Sequence, residues 1–147
     1  MKKRPDIILS LILSIILLAL TALFAVLLPV LLDWYIRFRS IRQALYMPIL
    51  VTAYGCTAAA VTALIFLIRL LVRIREGFLF DADNIRSLTA LSLCFLGATL
   101  CAACGGFFYF PFWAAALAGS FMFLLLRIIR MAFARAAEIK SENDMTI

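Results

Sequence analysis

Four long apolar blocks, at roughly 7–32, 46–68, 88–104 and 112–126, fill most of this chain, and none contains an Asp, Glu, Lys, Arg or His. A hydrocarbon core about 30 Å thick is crossed by about 20 mostly apolar residues of helix. In lipid every backbone N–H and C=O must be paired within the protein, and a helix does this inside one segment. Blocks of this length therefore point to the bilayer and to helices. Only 15% of the residues are charged, against about a quarter in soluble domains, so little chain remains for a soluble domain. We expect one all-α domain over 1–147, an integral membrane protein with four transmembrane helices in an antiparallel bundle. The helices should cover about 7–32, 46–73, 84–104 and 111–137, followed by a short cytoplasmic tail at 138–147. The first block far exceeds the apolar core of about 7–15 residues in a cleaved signal peptide, which predicts a retained helix.

A net charge of +6 would suit nucleic acid, but its placement suits topology. Lys2, Lys3 and Arg4 precede the first block. Arg69, Arg73, Arg75 and Arg86 surround the connection between the second and third, and Arg127, Arg130, Arg135 and Lys140 follow the fourth. These groups hold eleven of the fourteen basic residues, and Arg37, Arg39 and Arg42 make up the rest, between the first two blocks. Lys and Arg gather in short cytoplasmic loops, so both termini and the central loop are expected in the cytoplasm. Direct nucleic-acid binding is not expected; contact with the lipid bilayer and its anionic headgroups is.

Local signals refine the helices. Pro29 should kink or fray the end of the first, and the segment 35–45 reads as a short amphipathic piece on the outer surface, with Ile36, Phe38, Ile41 and Leu45 apolar between arginines. Small residues four apart allow helix backbones to approach closely: Gly55, Ala59 and Ala63 in the second helix, Gly97, Cys101 and Gly105 in the third, Ala115 and Gly119 in the fourth. Asp81 is placed to cap the third helix, with Phe80 and Ile85 as a hydrophobic staple. Gly105 and Gly106 should stop that helix and Pro111 open the next, amid an interfacial belt of aromatics. The polar groups Tyr54, Thr57, Thr62 and Thr99 should bond to backbone or to a neighbouring helix.

Little here carries catalysis. The eight acids lie outside the blocks and the chain has no His, so neither a metal site nor a cofactor is expected. Small multidrug transporters of similar size use a membrane-embedded carboxylate, which the four blocks lack. Cys101 and Cys104 form the one reactive pattern, Cys-x-x-Cys, and such a pair can cycle through a disulfide. Four-helix thiol oxidases relay electrons through a second pair, whereas Cys56 and Cys94 sit well inside the second and third helices. We expect no enzyme, keeping Cys101 and Cys104 as redox candidates.

The tail, Ile139-Lys140-Ser141-Glu142-Asn143-Asp144-Met145-Thr146-Ile147, resembles the C-terminal signature of the family called domain of unknown function 2975. Pro29, Tyr46-Met47-Pro48 and the stretch 80–88 agree with it. The resemblance implies a small four-helix protein of the bacterial cell membrane, without an assigned activity, often encoded beside a helix-turn-helix regulator. The expected function is non-enzymatic, with a cytoplasmic protein partner such as that regulator held by Glu142, Asn143, Asp144, Thr146 and Ile147. Two alternatives stand beside it: a membrane thiol–disulfide oxidoreductase using Cys101 and Cys104, and a small pore or exporter formed by a homo-oligomer.

Overall fold

A computed structural model of the chain describes residues 5–77 and 81–145. Four helices carry almost all of it: α1 (Pro5–Arg39), α2 (Tyr46–Arg75), α3 (Ala82–Gly106) and α4 (Phe112–Met145), with a one-turn 3-10 helix at Gln43–Leu45 before α2. All four are long and apolar enough to cross a membrane, and among the described residues there is no strand. Lys2, Lys3, Arg4 and Phe80, to which charge and capping roles were assigned above, lie outside the described residues, as do Thr146 and Ile147.

Two helices outrun their expected ends. α1 passes Leu32 and continues to Arg39 without a break at Pro29. Proline cannot donate to the carbonyl four residues back, that of Ala25. The Tyr54 hydroxyl of α2 donates to that carbonyl at 3.2 Å, so the gap in the ladder is filled from a neighbouring helix. Beyond Pro29, Asp33 and Arg37 pair at 3.0 Å and Trp34 stacks on Phe38 at 5.3 Å, both one turn apart. The first part of the amphipathic segment is thus a helical extension, and the chain reverses only at Ser40, whose φ is +52°. α4 likewise continues through residues 138–145, so the expected tail is helical to Met145.

Each helix packs chiefly on its chain neighbours. Contacts fall at matched depths: Ala25 with Tyr54, Cys56 with Ala98, and Thr99 against Gly119. Only 6% of the most apolar stretch of α4 and 11% of that of α1 is buried, against 28% for α3, so α3 is the most enclosed. One core cluster, Ala63, Leu70, Leu88 and Leu91 with Phe66 and Phe133 against it, joins α2, α3 and α4 at one end. The other, Leu32, Ile36 and Ile49 with Tyr109 and Phe112, ties α1 to α2 and the α3–α4 turn at the opposite end. Between them an apolar groove of about 360 Å³ opens among α1, α2 and α3, lined by Leu17, Thr21, Ala59, Ala63, Leu91 and Phe95.

The small residues divide by use. A Cβ on Gly106 would come within 2.8 Å of the Trp113 ring, and one on Gly105 would collide with Thr52. They are the last two residues of α3, which ends where they were expected to stop it, but neither has a positive φ, so their close approach to Thr52 and Trp113 is what calls for glycine. Gly97 has nothing within 4 Å and Ala115 is exposed, so neither belongs to a helix contact. The hydroxyls behave as expected: Thr57, Thr62 and Thr99 donate to carbonyls four residues back at 2.7–2.9 Å.

Candidate functional site

Polar chemistry concentrates where α2 ends and α3 begins. Asp81 is the N-cap of α3, in extended conformation, and its carboxylate accepts from the Ala82 amide at 2.9 Å. The guanidinium of Arg73, in the last turn of α2, reaches both acids of this start: one nitrogen stands 3.0 Å from Asp81 and another 3.0 Å from Asp83. A single planar fork thus clamps two carboxylates at the positive end of a helix dipole. Three-quarters of the Arg73 side chain is covered. Beside the clamp, Asn84 is fully buried and the Ser87 hydroxyl donates to the Asp83 carbonyl at 3.0 Å.

Next to the clamp lies a polar cavity of about 350 Å³. Arg69 and Arg73 bound it from α2, Asp83, Arg86 and Ser87 from α3, and Phe66 and Ala90 close it toward the apolar spans. Asp83 serves Arg73, whereas Arg69 and Arg86 have no ion-pair partner among the described residues. These arginines were read above as markers of topology and general contacts to anionic lipid, without a shared cavity. Nothing in the local sequence shows that Arg73 and Asp81, eight residues apart, pair with each other; Gly77, just after α2, has φ +97°.

At the same end, α4 runs past Phe133, its last contact with the core cluster, to Met145. Roughly 12 residues of helix, about 18 Å at 1.5 Å per residue, stand beyond that contact. Glu142, Asn143 and Asp144 lie there, exposed, with the apolar Ile139 and Met145 also uncovered at 59% and 86%. Those three candidate residues therefore share one projecting helix; Thr146 and Ile147 lie outside the described residues.

Cys101 and Cys104 sit one turn apart near the other end of α3, both exposed and both free thiols. Cys101 faces α2, its sulfur 3.3 Å from where a Cβ on Gly55 would stand. Cys56 donates weakly to the Ala98 carbonyl at 3.7 Å and Cys94 lines the apolar groove. At this end the Tyr35 and Tyr109 hydroxyls share a hydrogen bond, joining the extension of α1 to the α3–α4 turn. That bond, with help from burial, pushes the Tyr109 phenol up from its ordinary value, although Arg39 works against it. The aromatic pattern was legible in the sequence, but not this pairing across 74 residues.

A family model described as a protein of unknown function, DUF2975, matches residues 39–147, from the last residue of α1 through α2, α3 and α4. No curated protein and no solved structure matches the chain.

Proposed function

The chain belongs to the DUF2975 family, and from that premise we propose a non-enzymatic, multi-pass protein of the bacterial cell membrane whose cytoplasmic edge holds a protein partner. In this reading the four helices cross antiparallel with both termini inside. Two observations support that arrangement. From Thr52–Gly105 through Gly55–Cys101 to Cys56–Ala98 the contacts advance along α2 as they retreat along α3, and Thr99–Gly119 and Gly106–Trp113 do the same for α3 and α4. The unclamped Arg69 and Arg86 stand at the end that the basic-inside tendency assigns to the cytoplasm.

The projecting end of α4 carries the proposal. An exposed helix that bears Glu142, Asn143 and Asp144 alongside uncovered Ile139 and Met145 offers acidic and apolar groups together, suiting a partner with basic and apolar side chains. A helix-turn-helix regulator, rich in basic side chains for its own DNA, has that chemistry. By sequence the surface extends through Thr146 and Ile147.

Crosslinking and co-purification from native membranes, with and without residues 141–147, tests the reading. The expected result is loss of a cytoplasmic partner at unchanged abundance and thermal midpoint of the membrane protein. Retention of the same partners at full yield after the deletion would overturn it.

A further inference from the structure

The cavity beside the Arg73 clamp has a charge imbalance that its own residues do not resolve. Arg73 is satisfied by Asp81 and Asp83. Arg69 and Arg86 line the same space from facing helices and have no acid of their own among the described residues. Both side chains are solvent-exposed, and two guanidiniums lining one open pocket raise the local potential, which the apolar Phe66 and Ala90 beside them strengthen. Guanidinium forks match phosphate oxygens two at a time. At about 350 Å³ the cavity falls in the range of small-molecule sites, about 300–1,000 Å³. Its apolar side leads toward the spans, the direction an acyl chain would take.

We propose that this cavity binds a phosphate group, with Arg69 and Arg86 as its ligands and the Arg73–Asp81–Asp83 clamp holding α2 and α3 at the spacing the phosphate requires. An anionic phospholipid headgroup and a free phosphate offer the same chemistry. The clamp keeps Arg73 out of the ligand set, so the cavity takes one phosphate between two guanidiniums. Arg75 and Arg135 stand at the same end and are exposed as Arg69 and Arg86 are, but do not line the cavity, which makes them charge-matched controls.

The test uses the full chain in phosphatidylcholine nanodiscs, alone, with phosphatidylglycerol, or with inorganic phosphate at constant ionic strength. Native mass spectrometry reads retained lipid, and the thermal midpoint reads free phosphate. With two charge-assisted hydrogen bonds to the phosphate lost, Arg69→Gln with Arg86→Gln should weaken binding about a hundred-fold or more. Arg75→Gln with Arg135→Gln should change it little. Dependence on Arg69 and Arg86 in the phosphatidylglycerol arm assigns a lipid headgroup, and in the inorganic arm alone a free phosphate; either supports the site. Equal losses in the two double variants, or no loss in the first, would overturn it. Should the first double variant fail to fold in phosphatidylcholine, Arg69→Lys keeps the charge without the fork. Reduced binding then upholds the assignment, and unchanged binding overturns it.

Discussion

Tyr54 fills, from the neighbouring helix, the gap that Pro29 leaves in the ladder of α1. The Ala25 carbonyl loses its intrahelical partner to Pro29, and Tyr54 replaces it. Tyr54→Phe should therefore cost about 0.6–1.5 kcal/mol, the range of a membrane hydrogen bond. In a Pro29→Ala background the new amide can bond Ala25, so the same substitution should cost little there. Reversible denaturation of the four chains in mixed micelles gives the coupling, and additive costs would show that Tyr54 acts elsewhere. Tyr109 offers a second test at this scale. Its folded value is raised, so the stability it contributes is complete below its ordinary value of about 10 and is lost as pH climbs through the folded one. Tyr35→Phe removes the largest cause, and the phenolate absorbance of Tyr109 should then appear at lower pH.

The glycines act between elements. Gly105→Ala should push α3 from Thr52 of α2 and cost about 1–3 kcal/mol. Gly97→Ala meets open space and should be neutral or stabilising, by up to about 1 kcal/mol through helix propensity. Thermal midpoints of both variants, and of Gly105→Ala with Thr52→Ala, check this; the pair should recover part of the loss. Both glycines occur in the same small-residue pattern, which gives spacing but not the face turned to a partner. The spans themselves were legible because lipid imposes an apolar run, and the Asp81 cap because its effect is local. The continuation of α1 was not, since the residue that rescues Pro29 lies on another helix, 29 positions from the carbonyl it serves. The cavity escaped for a similar reason: arginines marking a loop and arginines lining a cavity look alike until two helices are brought together.

At the scale of the molecule, two tied ends flank an open middle. One end is closed by the cluster of Ala63, Leu70, Leu88 and Leu91 and by the Arg73 clamp, and the other by Leu32, Ile36, Ile49 and the two tyrosines. On a background with the four native cysteines replaced by Ala or Ser, single cysteines introduced at Ser40 and Ser141 report orientation. An impermeant thiol reagent should label position 40 in intact cells and position 141 only after permeabilisation; the reverse pattern would invert the proposed topology. The tyrosine lock also imposes a timetable on synthesis. Tyr35 leaves the ribosome 74 residues before Tyr109, an interval of about 4–15 s at 5–20 residues per second. α1, the most apolar helix and one with little of its span buried, can sit in lipid through that wait. Its fastening to the α3–α4 turn closes only after the whole of α3 has been made.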